Sequence, residues 1–329
     1  MNARQKFSVV VALGVLVANI DLAQPLRQRG GRGFGPGGGG WGGNEDDTGS
    51  LVRIEGGRVV DESTVRTARE IASHSTGTPV WSNPVGFEKD VFTMARVIFK
   101  VGVGDGDGWG RGQRFGWWVD FPDADLNFSY RLQQMTSAKV DPDGRTLHLT
   151  DPDLSDFPMI YMEHPGFMRL RDDEMARLRG YLLNGGSLFI NDFWSQREWD
   201  GFEAQMKQVL PGRSWTELTM EHPLFHCVFD LRGPMNRLQV PTMQFWNPNF
   251  DSNDPSSHLS RQYRGEGSEN VHLRAWLDDK QRIMVIAIHN SDVSDGWERE
   301  GENSDYFHTF SEKVSYPLGI NIVFYLMTH

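Results

Sequence analysis

At 329 residues the chain has room for one large domain with appendages, or for two small domains. Its formal net charge of -11 argues against nucleic acid or an anionic membrane surface as the main partner. Its one cysteine, Cys227, excludes an intrachain disulfide and hence a disulfide-stapled fold.

Residues 1–23 have the pattern of a secretory leader. Arg4 and Lys6 precede an apolar run from Phe7 to Ile20, shorter than the ~20 residues of a spanning helix. Cleavage after Ala23 would place Asp21 badly, so retention as an N-terminal anchor is the alternative. Either way the remainder is expected outside the cytoplasm, periplasmic or extracellular, with no transmembrane segment beyond the leader. Residues 24–50 are a glycine-rich stretch that reads as a disordered tether rather than an RNA-binding arm. Residues 51–90 form an N-terminal extension, in which Asp61 to Thr64 precede a short capped helix over 65–72.

The main domain is expected over 91–329. It opens on a buried strand, Phe92 to Val101, followed by a Gly-rich loop. Within that loop, Asp105 to Gly108 looks like part of a calcium loop but lacks its downstream ligands. Asp123 or Asp125 can cap a helix that aligns Phe128, Leu132 and Met135. Residues 146–150 alternate as a short strand. From Phe157 to Trp199 the chain reads as one βαβ unit. An apolar run ends in Glu163-His164, a helix carries Met175, Leu178 and Leu182, Gly185-Gly186 closes it, and a second run ends in Asn191-Asp192. Parallel strands joined this way place their polar ends on one edge of the sheet, where open α/β sheets bind ligands.

Beyond this unit, a helix is expected from Trp199 to Leu210, stopped by Pro211-Gly212, and a strand over 215–220. The apolar run around Cys227 reads as strand or turn, and 233–270 as a long loop. A buried strand from Arg282 ends in His289, Asn290 and Asp292, and an acid-rich loop covers 293–307. A closing helix aligns Ile320, Val323, Phe324 and Met327, with Pro317 in its first turn.

As a set, these motifs resemble the bacterial domain-of-unknown-function family 4159. The resemblance is carried by Trp118-Val-Asp120-Phe-Pro122 with Asp125 and Phe128, by Phe157 to Met162 with Gly166, and by Leu178 to Gly186. It continues through Asn191-Asp192-Phe193, His222-Pro223, His289-Asn290-Ser-Asp292 and Leu318-Gly-Ile-Asn321, over roughly the last three-quarters of the chain. The family more often has two acids where this chain has Asn191-Asp192, which weakens any role needing both. The resemblance implies a three-layer Rossmann-like α/β fold: a flavodoxin-like, glutamine amidotransferase-like parallel sheet with helices on both faces. It implies no reaction.

An amidotransferase needs a cysteine on a strained strand-to-helix elbow. Cys227 lies in an apolar run without an adjacent glycine and reads as a buried, unreactive residue. No G-x-S-x-G serine elbow is present. The candidates for ligand binding are therefore the polar strand ends: Asp120, Glu163, His164, Asp192, Trp194, His289, Asn290 and Asp292. Glu163, Asp192 and His289 are expected to converge in one pocket. That pocket would bind a small molecule, an envelope component or a protein partner without catalysis, or would hydrolyse envelope carbohydrate with Asp192 and His289; a third class is a purely structural interaction domain with the aromatic loops as its contact surface. A mixed carboxylate–imidazole set could hold Zn²⁺ or Mn²⁺, but no metal signature such as H-E-x-x-H occurs, and no metal or other cofactor is assigned. The structural alternative has each polar residue capping or tying its own loop. His222 and His226 are separated by Pro223 and are not expected to pair on a metal. Trp194 and Trp199 either wall a sugar site or pack in the core.

Overall fold

The computed structural model describes residues 51–54, 57–86, 90–102, 116–249 and 265–329. The leader, the tether and the loop at 105–108 lie outside these residues. The described part opens with an antiparallel hairpin of β1 (Leu51–Arg53) and β2 (Val59–Asp61). Then come β3 (Ala95–Ile98), β4 (Lys100–Val101), α1 (Asp123–Met135), β5 (Arg145–His148), β6 (Met159–Glu163) and β7 (Met168–Arg169). Next are α2 (Asp172–Leu183), β8 (Ser187–Phe193), α3 (Ser195–Val209), β9 (Trp215–Glu217), β10 (His272–Leu277) and β11 (Ile283–His289). The chain closes with α4 (Asp295–Glu298), α5 (Ser304–Tyr306), a π-helical stretch over Phe307–Ser315 and α6 (Tyr316–Thr328). Among the described residues no helix is long and apolar enough to cross a membrane.

The central sheet has seven strands in the order β5-β3-β6-β8-β11-β10-β9. The first five are mutually parallel. β10 pairs antiparallel with both β11 and β9, so the sheet is mixed where the sequence suggested a parallel one. The reason is local. A turn of only five residues, 278–282, joins β10 to β11, and only antiparallel neighbours can be linked so tightly. Asp278 builds that turn by accepting the Lys280 and Arg282 amides at 2.8 and 2.9 Å.

Side-chain alternation divides the core between the two faces of the sheet. On one face, Met159, Tyr161 and Phe189 pack with Phe128 and Leu132 of α1 and Ile320 of α6. On the other, Ile160, Met162, Leu188 and Ile190 pack with Leu178 and Leu182 of α2 and with Trp199, Phe202 and Met206 of α3. Every residue of β6, β8 and β11 is buried, as expected for strands covered on both faces.

Several local expectations are corrected. Neither Asp123 nor Asp125 caps α1; Pro122 takes the N-cap position, and both acids lie in the first turn with tertiary partners. The helix expected over 65–72 is a single 3-10 turn, Ala68–Glu70. The run around Cys227, expected as strand or turn, takes the turn form, a 3-10 turn over Pro223–His226, and the Asn321 side chain accepts the Val228 and Phe229 amides that follow it. Cys227 is accordingly exposed rather than buried, although its thiol faces the Leu224 and Asn321 carbonyls and partial burial raises its pKa. α3 begins at Ser195, a turn earlier than the apolar pattern suggested.

α3 lies backbone-to-backbone against the turn that follows β6. A Cβ on Gly201 would sit 2.3 Å from the Gly166 carbonyl oxygen. Gly201→Ala should therefore lower stability by roughly 1–3 kcal/mol, read as a smaller urea midpoint, through overpacking. Gly180, on α2 with nothing near its would-be Cβ, is the control. Gly180→Ala should raise the midpoint, by about 0.5–1 kcal/mol of helix propensity.

Candidate functional site

The C-terminal ends of the parallel strands carry the unusual backbone. Asp120, in the connection from β3 to α1, has φ 59°, and His164, directly after β6, has φ 49°. Asp192, Ser195 and Asn290, at the ends of β8 and β11, have φ 49°, 68° and 62°. Left-handed conformations at non-glycine residues are strained and concentrate where function fixes the chain. At Asp192 the cause is visible. Ala287 pairs with Ile190, but the next pairing is His289 with Phe193, so β8 holds one residue more than β11 across this step. The extra residue bulges, which redirects side chains out of the regular alternation.

Four carboxylates gather here. Asp120, Glu163, Asp192 and Asp292 each offer an oxygen, all within 4.8 Å of one another, and all four residues are buried. Asp120 also belongs to a second group with Asp295 and Glu298 of α4. Glu163 accepts hydrogen bonds from Tyr161 and from Ser294 Oγ at 2.8 Å. Asp192 accepts from Trp194 Nε1 at 2.8 Å and holds His164 Nδ1 at 3.1 Å. Asp292 accepts from Thr242 Oγ1 at 2.6 Å and from Ser294 Oγ at 3.2 Å. Asp120 differs. It is 7% exposed, and its buried Oδ2 has no hydrogen-bond partner.

Burial and mutual repulsion leave their mark on the acids. Burial first, then the charges of Glu298, Asp292, Glu163 and Asp295, push Asp120 well above the usual carboxylate range. Burial likewise raises Glu163 to about 8; Arg96 opposes the rise and Asp192 adds to it. Asp295 is raised too, by burial, against the pull of Arg299.

Positive charge is supplied mainly around the rim. Arg96, buried in the middle of β3, forks onto Asp125 with Nε at 2.9 and 3.0 Å and lies 3.9 Å from Glu163. Arg299 pairs with Asp295 and Glu298 at 3.2 and 2.8 Å. His74 comes from the N-terminal extension and bridges Asp123 at 2.5 Å and Glu298 at 2.7 Å. Burial works against its charge, but those hydrogen bonds and charges raise it to about 10, so it is a cation at neutral pH.

The sequence candidates thus divide. Asp120, Glu163, Asp192 and Asp292 come together, and His164 and Trp194 support Asp192. His289 does not join them, contrary to the expected convergence. Its Nε2 donates to the Ser195 carbonyl at 2.9 Å and its Nδ1 faces Arg274 at 3.3 Å, in an aromatic nest of Phe193 and Trp199. Burial holds it down to about 3, so it stays neutral. With both ring nitrogens engaged, it is not available as a base beside Asp192. Asn290 ties loops, accepting the Ser195 amide and donating to the Gly267 and Asn270 carbonyls. Trp199 is core. His222 and His226 serve their own turn, taking the Leu224 amide and Asp230 respectively.

Sequence reading missed Arg96, His74, Asp295 and Glu298. The last two had a signal: Asp292, Asp295 and Glu298 recur every third residue after β11. Arg96 also had one, as the single charge between Phe92 and Phe99.

Fold and site together define a mixed α/β protein with an acid-lined C-terminal strand edge. Residues 111–327 match the family described as Domain of unknown function (DUF4159), and the chain belongs to that family. No curated protein matches it.

The raised Glu163 gives a pH test. Its folded value of about 8 lies above the ordinary 4.5, so the folded chain retains a proton that the unfolded chain releases. Stability must then fall as pH rises through that window. His289, depressed from 6.5 to about 3, acts oppositely, but only below pH 6.5. Between pH 6.5 and 8, in EDTA, the melting temperature should fall more steeply for the wild type than for Glu163→Gln. Parallel slopes would refute the assignment.

Proposed function

We propose that this is an exported α/β protein that binds a ligand in the acid-lined pocket at the C-terminal edge of its parallel strands, without amidotransferase chemistry. The observation that carries this reading is the Asp120 carboxylate, buried, without a hydrogen-bond partner at Oδ2, and set among like charges. A group so placed destabilises the empty fold. Sites that cost stability in this way are characteristically functional.

The flavodoxin-like, glutamine amidotransferase-like assignment is supported by strand order. Numbered along the chain, the five parallel strands β3, β5, β6, β8 and β11 lie in the order 2-1-3-4-5, that of flavodoxin-like sheets. In such sheets ligands bind outside the C-terminal strand ends, where the carboxylates lie. Lack of the cysteine chemistry is supported by Cys227, which stands beside α6 and hydrogen-bonds the Asn321 carbonyl rather than any member of the acidic pocket. The ligand is a small molecule or an envelope component reached after export, a location resting on the leader pattern of residues 1–23. Cell fractionation tests it: most of the protein should appear outside the cytoplasm, and its retention in the cytosol at intact mass would refute export.

The pocket itself is tested by Asp120→Asn. Asparagine keeps the shape and tolerates the left-handed backbone, so only the acid is lost. In ligand-free protein the variant should melt a few degrees higher, on the order of 0.5–2 kcal/mol. A lower melting temperature would mean that the carboxylate is structural and the reading is wrong.

A further inference from the structure

We infer that Asp120, Glu163, Asp192 and Asp292 bind one hard divalent cation: Ca²⁺, Mg²⁺ or Mn²⁺. The inference rests on the pocket reading above and names its ligand. One oxygen from each residue lies within 4.8 Å of the others. That spread suits donors arranged around a single ion at about 2.0–2.6 Å. The donors are all oxygen, a set that favours hard cations over zinc or copper.

Two further observations separate this cluster from an ordinary acidic patch. First, Asp120 Oδ2 is buried with no hydrogen-bond partner, and among the described residues Asp120 enters no ion pair. A buried carboxylate oxygen in that state lacks a positive partner. Second, neutral donors reach the other three acids: Trp194 on Asp192, beside His164, Thr242 on Asp292, and Ser294 on both Asp292 and Glu163. Such donors aim a carboxylate without cancelling its charge, the usual work of the groups behind metal ligands.

Donor number separates the two groups that share Asp120. Asp295 and Glu298 already have Arg299 and His74 against them at 2.7–3.2 Å. In the four-acid group Arg96 lies 3.9 Å from Glu163 and is already forked onto Asp125, and His164 Nδ1 lies 3.1 Å from Asp192. The ion belongs with the four acids, which offer four oxygens against the second group's three.

The test uses the full chain, stripped with EDTA and dialysed, in thermal melts and calorimetric titrations with chlorides of calcium, magnesium, manganese and zinc. At least one of the first three should bind with a stoichiometry of one. At a hundredfold excess over its Kd it should raise the melting temperature by roughly 5 °C or more. Asp120→Asn and, separately, Asp292→Asn should each abolish that shift, with far-UV circular dichroism confirming the fold. No binding of the three hard cations, binding of zinc alone, or a shift that survives both substitutions would overturn the inference. The pocket reading is judged separately, by the melting temperature of Asp120→Asn in EDTA. A stabilised variant without cation binding would leave a pocket whose ligand is not a metal.

Discussion

The buried Arg96–Asp125 fork governs the geometry of this edge. Arg96 is the one charged residue of β3, and the sheet gives its guanidinium no water. It is satisfied entirely by the segment that follows: Asp125 on one side, and the Trp117 and Val119 carbonyls, each at 2.8 Å, on the other. The Phe121 and Tyr161 rings flank it at 5.6 and 5.0 Å. Burial would lower its pKa, but the charge and hydrogen bonds of Asp125 raise it instead. Breaking such a pair from one side costs about 3–5 kcal/mol, because the remaining charge stays buried alone. The segment from 117 to 125 is thus fixed at both ends, and Asp120 lies within it, beside the other acids.

The same economy recurs around the cluster. Ser294 serves Glu163, Asp292 and Asn191, so one hydroxyl links the ends of β6, β8 and the loop after β11. Trp194 turns back from the start of α3 onto Asp192. The N-terminal extension supplies His74, and beside it Ser73 and Thr78 reach Asp123 and Asn127 of α1. These contacts add to the ladder between β6 and β8 and tie the extension to α1, which keeps like charges close together in a folded chain.

Much of this architecture is legible in the sequence, for definite reasons. The βαβ unit announces itself through two apolar runs and an intervening helical period, and its polar ends follow from strand direction alone. Asp120, Glu163, Asp192 and Asp292 could thus be named as candidates. What could not be read was where individual side chains point after the last regular pairing. The one-residue slip between β8 and β11 separates His289 from Asp192, and no pattern of residue types encodes that slip. The β10–β11 hairpin was equally silent. Its left-handed position is held by Gln281 rather than glycine, so the usual turn signal is missing. Arg96 and His74 act through partners 21 to 224 residues away, beyond the reach of any local pattern.

The position of β3 bears on where this domain can be cut. The family match begins at residue 111, yet β3 ends at Ile98 and lies between β5 and β6. A fragment trimmed to the matched boundary would lose a middle strand rather than a terminal one. β5 would have no neighbour and β6 would become an edge, exposing a row of unpaired amides and carbonyls that invites aggregation. Asp125 would be left buried without its arginine. The physical unit of folding therefore starts upstream of the recognisable motif, and proteolytic or recombinant dissection has to respect the strand, not the match.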